Sequence, residues 1–153
     1  MADTIRTRSA VLALLADNTS GDISPQDLRD FTVSTWGVYG ALSFYNKSAT
    51  QSLNTTPATI VAFDTTGGAD GTTVNTGSHN ITVLSDGVWQ VETHMTLSGF
   101  NSGTLYTFHI AKNGTRIPGA SASLKTSTTD YKALSIALTV SLVNTDIITV
   151  QGE

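Results

Sequence analysis

The sequence predicts a mainly β fold made of antiparallel strands, and three observations support this. Apolar and polar side chains alternate over residues 87–97, and the alternation returns over residues 134–142. Successive side chains of a strand point to opposite faces of a sheet, so this period of two indicates half-buried strands. Asn113-Gly114 stands between two further strand-like stretches, and both residues tolerate the positive φ angles of a tight hairpin. We therefore expect a sandwich or barrel of short strands.

Composition excludes several classes of function. Only 13% of the 153 residues are charged, the net charge is −4, and the eight basic residues form no run. A nucleic-acid-binding surface needs clustered Lys and Arg, so we predict no nucleic-acid partner. The chain has no cysteine, so it forms neither disulfides nor thiolate metal sites.

The first 36 residues are expected to form a helical hairpin. Apolar residues recur at helical spacing over residues 7–16. Ser24 is a good N-cap, Pro25 suits the first helical position, and Asp27 follows the cap by three residues. This second helix should run through Leu28 and Phe31 and then fade into the β-branched stretch 32–35. A DNA-binding helix-turn-helix is disfavoured because the segment holds three Arg and five Asp.

The apolar run 10–16 raises two further possibilities. It is far too short to span a bilayer, which takes roughly 20 residues, so we predict no membrane partner. It follows two arginines and therefore resembles a signal peptide, although Asp3 lies where such peptides are basic.

The rest of the chain divides into a linker and a β domain. Residues 37–56 read as a linker that includes a short strand at 41–45, and residues 57–153 form the β domain. Residues 65–71 are predicted to be a flexible loop because they are rich in Gly and Thr. The expected strands lie near residues 59–63, 79–84, 87–97, 104–112, 116–124, 131–142 and 145–150.

No arrangement of residues indicates catalysis. The sequence has neither a Gly-x-Ser-x-Gly nucleophile elbow nor a phosphate-binding loop. His94 and His109 would form a metal pair only if strands 87–97 and 104–111 made a simple hairpin, and we expect them, with His79, to be solvated. We predict that the protein is not an enzyme and has no catalytic residues, cofactor or metal site.

Three motifs in the β domain resemble the C1q/TNF-like jelly rolls. Gly87-Val88-Trp89 resembles the opening of a long strand in that family, and Lys112-Asn113-Gly114 resembles its hairpin. The segment 142–150 resembles its Leu-x-x-Gly-Asp-x-Val motif, with Thr145 in place of the glycine. The resemblance implies an antiparallel jelly-roll sandwich in which strands 87–97 and 104–112 belong to opposite sheets.

One departure from the family concerns its last strand, which normally lies in the middle of the inner sheet. This sequence stops soon after the 145–150 strand. Three alternatives follow: an N-terminal strand such as 41–45 fills the position, a neighbouring subunit fills it, or the sandwich is smaller.

The resemblance also implies three copies packed through one sheet. Small residues at alternate positions of strand 131–142 share the side away from the core, which lets a second backbone approach. We predict a homotrimer, with solvent covering this face as the alternative. The residues expected near the threefold axis are Gln90, His94, Ala137 and Thr139.

The first part of the chain resembles a different group of proteins. The stretch TRSAVLALLADNTSGDISPQDLRDFTVS is similar to leader segments of bacteriophage tail, fibre and head-decoration proteins. This resemblance implies a virion structural protein, which we expect to be a capsid decoration or cement protein bound to the major capsid protein or another virion protein. The residues expected to attach it are Arg6, Arg8, Leu28 and Phe31.

Two alternatives remain open. The first is a short tail or head fibre whose loops 64–79 and 98–104 contact host-surface glycan or protein, with Phe100 as the ring on which a sugar would stack. The second is a secreted bacterial adhesion module, which requires a functional signal peptide.

Overall fold

The computed structural model describes Ala13 and residues 23–35, 38–43, 51–125 and 131–153. The chain divides into two compact units, Met1–Val38 and Tyr39–Glu153. The described residues of the first unit include Ala13, which is helical, and the helix α1 (Pro25–Thr35). No helix among the described residues is both long and apolar enough to cross a lipid bilayer. The second unit contains the strands β1 (Tyr39–Ser43), β2 (Ala58–Thr59), β3 (Thr65–Asp70), β4 (Thr72–Asn75), β5 (Asn80–Val83), β6 (Gly87–Leu97), β7 (Leu105–Lys112), β8 (Thr115–Lys125), β9 (Lys132–Leu142) and β10 (Ile147–Gly152).

The mainly β prediction is confirmed, and all strand pairs are antiparallel. The predicted loop 65–71 is wrong because residues 65–70 form β3, which pairs with β1. The predicted strand 59–63 is wrong beyond Thr59, because β2 consists of Ala58 and Thr59 alone. The predicted first helix at 7–16 lies, apart from Ala13, outside the described residues.

Helix α1 begins with the capping arrangement that the sequence predicts. The backbone N–H of Asp27 donates to Ser24 Oγ at 3.1 Å, and the N–H of Ser24 donates to Asp27 Oδ2 at 2.9 Å. These reciprocal bonds satisfy two backbone donors that the first turn leaves without helical partners. The helix runs through Leu28 and Phe31 and ends at Thr35, within the β-branched stretch where the sequence predicts its end.

The strands of the second unit form one large sheet and two ribbons. The large sheet has the strand order β4-β5-β10-β7-β8, and β2 also pairs with β10. The ribbons are β1–β3 and β6–β9. β6 and β7 therefore lie in different sheets, as the resemblance implies.

The core lies between the large sheet and the β6–β9 ribbon. Buried side chains of the ribbon, such as Met95 and Ile136, cluster with buried side chains of the large sheet, such as Phe108 and Ile110. Two layers packed in this way are consistent with a β-sandwich. The other buried apolar residues of the cluster are Ile60, Phe63, Val83, Ile117, Ala120, Leu134, Leu142 and Ile148.

A network of hydrogen bonds joins the β7–β8 turn to the β9–β10 turn. The buried carboxylate of Asp146 accepts from Asn113 Nδ2 at 2.7 Å through Oδ1 and from the Val143 N–H at 2.9 Å through Oδ2. Asn113 Oδ1 in turn accepts from the Ile147 N–H at 2.8 Å. Lys112 Nζ lies 3.5 Å from Asp146 Oδ2. The bond from Val143, followed by that from Asn113, lowers the pKa of Asp146 below its ordinary value.

Both turns use the left-handed backbone region. Asn113 and Gly114 have φ angles of 52° and 77°, which confirms the tight hairpin predicted at this dipeptide. Thr145 has a φ of 74°, although a β-branched side chain disfavours that conformation. This is the position at which the resembled motif has glycine, so the threonine carries backbone strain there.

The lowered pKa of Asp146 makes stability depend on pH in a defined direction. Its carboxylate contacts stabilise the fold fully above about pH 4, and this stabilisation is lost as the pH falls through the folded-state pKa. Asp146→Asn should therefore lower the free energy of unfolding at neutral pH, and its deficit relative to the parent should shrink in acid. Urea unfolding from about pH 7 to pH 3 measures this. Lys112→Met removes a weaker contributor to the lowered pKa of Asp146, so its own loss of stability should change much less with pH. A loss of stability in Asp146→Asn that does not depend on pH would contradict the assignment.

Thr145→Gly should stabilise the protein. A left-handed conformation costs a non-glycine residue about 1–2 kcal/mol, and the greater freedom of glycine in the unfolded chain offsets about half of that gain. We expect the melting temperature to rise by about 2–4 °C. Thr96→Gly, in the exposed face of extended β6, is the matched control and should lower it. Equal losses from the two substitutions would show that Thr145 is unstrained.

Candidate interaction surface

The register of the β6–β9 ribbon produces one buried and one exposed face. The two strands pair residue for residue from Gly87 opposite Leu142 to Leu97 opposite Lys132. Facing residues of an antiparallel pair lie on the same side of the sheet, so apolar residues meet apolar residues toward the core. The exposed face, which we call the ribbon face, consists of Val88, Gln90, Glu92, His94 and Thr96 of β6 and Ala133, Ser135, Ala137, Thr139 and Ser141 of β9.

All four residues predicted to lie near a trimer axis are on the ribbon face. Gln90 lies opposite Thr139, Ala137 lies opposite Glu92, and His94 lies two residues further along β6. Each of these residues is exposed in the single chain. The β9 half carries only small side chains, so it presents little obstacle to another surface.

The imidazole of His94 is held between two ribbon-face neighbours. Its Nδ1 lies 2.9 Å from Ser135 Oγ across the strand pair, and its Nε2 lies 3.8 Å from Glu92 Oε2. The side chains of His94 and Glu92 are 68% and 54% exposed, so this contact is in solvent and contributes little to the stability of one chain. The hydrogen bond between Ser135 Oγ and His94 Nδ1 nevertheless orients the ring.

The other two histidines are placed differently. His109 lies on β7 between Gln151 of β10 and Ser121 of β8, and it is 1% exposed. Its Nε2 lies 3.0 Å from Gln151 Oε1. The expectation of a solvated His109 is wrong because β7 is an interior strand of the large sheet. His79 is half-buried, with Nδ1 3.1 Å from the Phe63 carbonyl oxygen.

The histidines do not form a metal site in the described structure. His94 and His109 lie in different sheets, so the pair considered from the sequence does not form. Within the part of the chain that the structure describes, no group of three His, Asp or Glu side chains is placed to hold a metal ion.

Two of the four predicted attachment residues are described. Leu28 is 57% exposed and Phe31 is 38% exposed. They are three residues apart on α1 and therefore share one side of the helix. Arg6 and Arg8 lie outside the described residues.

Phe100, the ring proposed to stack on a glycan, is not fully exposed. That side chain is half-buried and packs at a tilt on Tyr106, with 4.6 Å between the ring centroids. Most of the other segment, 64–79, forms β3 and β4 rather than a loop.

A groove that the motifs do not reveal lies between β1 and β6. It has a volume of about 560 Å³, and residues 40–43 and 91–94 form its two sides. The large sheet forms its floor through Ile81, Ile110 and Ile148. Strand β1, which overlaps the predicted strand 41–45, pairs with β3 and borders the groove.

Comparison with known proteins finds no matching family model and no significantly similar curated protein.

Proposed function

We propose that the protein is a structural component of a bacteriophage virion, a capsid decoration or cement protein. In this proposal, the second unit is a C1q/TNF-like jelly roll that trimerises through the ribbon face. The N-terminal segment attaches each copy to the major capsid protein or to another virion protein.

The ribbon face is the observation that carries the proposal. The four residues that the sequence predicts near a trimer axis lie on one exposed surface, and they are Gln90, His94, Ala137 and Thr139. Small β9 residues allow close approach of a second copy, and Gln90, with the oriented His94 ring, supplies hydrogen-bonding groups. Such a surface suits a symmetric contact because each copy offers both parts of it.

The exposed pair Leu28 and Phe31 supports attachment through α1. Apolar side chains on one side of a short helix fit a groove on a partner protein. Each such contact is small, but three linked copies gain from the raised effective concentration of the second and third contacts. A cement protein that bridges neighbouring capsid subunits at a local threefold site needs this combination of trimer and anchor.

The trimer is tested by one substitution on the ribbon face. Ala137→Arg places a long charged side chain where the copies would approach, so it should convert the trimer into monomers of 16.1 kDa. Sedimentation equilibrium over a dilution series measures the mass. Thr73→Arg, at an exposed position of β4 in the large sheet, is the control and should leave the trimer intact. A monomeric parent protein would refute the proposal.

Attachment is tested in the full chain with Leu28→Asp and Phe31→Asp combined. The two carboxylates remove the apolar patch of α1, so co-sedimentation with capsids that lack the protein should fall by at least about tenfold. The trimer should persist. Arg29→Glu adds negative charge to the same helix outside the pair and should reduce binding much less. Undiminished binding by the double variant would contradict attachment through α1.

A further inference from the structure

The groove between β1 and β6 is flanked by two strand edges that have no partner in the described structure. β1 pairs only with β3, and β6 pairs only with β9. An edge strand presents a row of free backbone N–H and C=O groups. Four consecutive residues of each strand line the groove, a length of about 13 Å at the rise of a strand. The groove is therefore long enough for a short strand that runs between the two edges.

The floor of the groove is apolar. Ile81, Ile110 and Ile148 contribute from three strands of the large sheet, and Val91 contributes from β6. An occupant must therefore present apolar side chains downward, and in a strand these occur at every second residue.

The charge of the groove's lining favours an occupant with a basic residue. Among the described residues that line the groove, Glu92 is the one Asp, Glu, Lys or Arg. Its exposed carboxylate lies on the outward face of β6. A neighbouring strand gains from a residue of opposite charge beside it.

We propose that this groove receives an extended strand from a partner polypeptide, with alternating apolar residues inward and a Lys or Arg outward beside Glu92. The strand completes the second layer as β3-β1-partner-β6-β9. Affinity comes from main-chain hydrogen bonds to both edges, and specificity comes from the inward side chains. This activity goes beyond the proposed virion role and does not depend on it.

The described segments of this chain are unsuited to donate the strand, so we assign the groove to a different polypeptide. Each described strand of this chain is already paired within its own unit, so donating one would open that unit. The described segments outside strands are poor donors, since 51–57 is mostly polar and ends in Pro57, and 98–104 contains Gly99 and Gly103. Occupation by a sister copy is thus an outcome that the test must distinguish.

The probe is a synthetic peptide, acetyl-Thr-Val-Lys-Val-Thr-Val-Thr-amide, added to the full chain. Saturable binding by fluorescence anisotropy should be accompanied by slower amide hydrogen exchange in residues 40–43 and 91–94. A peptide with proline in place of its central valine cannot pair along the edge and should not bind. Replacing the peptide's lysine by glutamate should weaken binding severalfold.

Two protein variants make a matched pair. Val91→Thr puts a hydroxyl into the groove and should weaken peptide binding by about threefold to tenfold. Val88→Thr makes the same change on the same strand at an exposed position outside the groove, and should not alter affinity. Thermal unfolding checks that both variants fold. If Val91→Thr does not fold, the comparison with the proline peptide still tests the proposal on the parent protein.

Three results would overturn the proposal. One is equal binding of the proline peptide, which would show adhesion to exposed apolar surface. Another is full protection of residues 91–94 in the isolated monomer, which would show that the chain fills its own groove. The third is concentration-dependent protection without peptide, which would identify a sister copy as the occupant.

Discussion

The pairing of β6 with β9 is the constraint on which the second unit depends. The pair runs without a bulge over the full length of both strands, and apolar pairs such as Met95 opposite Leu134 lie on the core side. A slip of one residue would turn Met95 and Thr93 outward and His94 inward, so the register is strongly determined by burial. The same register directs one set of side chains into the core and the other set onto the ribbon face. It also leaves the second edge of β6 without a described partner, beside the groove.

The large sheet depends on a second constraint, which is the set of hydrogen bonds made by Asp146 and Asn113. Asp146 and Asn113 join the turns that follow β7 and β9, through hydrogen bonds to backbone and side-chain groups. These bonds bring β10 beside β7, where Ile148 and Ile110 together form part of the groove floor. The strained φ of Thr145 persists because the surrounding network holds that turn in place.

The two proposed surfaces share residues of β6. Glu92 and His94 belong to the ribbon face and also line the groove. A strand added at the β6 edge would become a third strand of the ribbon and would place new side chains beside His94.

Local patterns in the sequence determined the features that depend on near neighbours. Alternation over residues 87–97 and 134–142 predicted β6, β9 and the exposed position of the ribbon-face residues. The Ser24 cap and the Asn113-Gly114 turn were also predicted from residues close together in sequence. Tertiary structure alone decided the rest. Strand β3 forms in a Gly-rich stretch because β1 packs closely, so that a Cβ at Gly67 would lie 2.7 Å from that of Ala41. The burial of His109 and the groove beside β6 likewise arise from strands far apart in sequence, whose contacts no local pattern encodes.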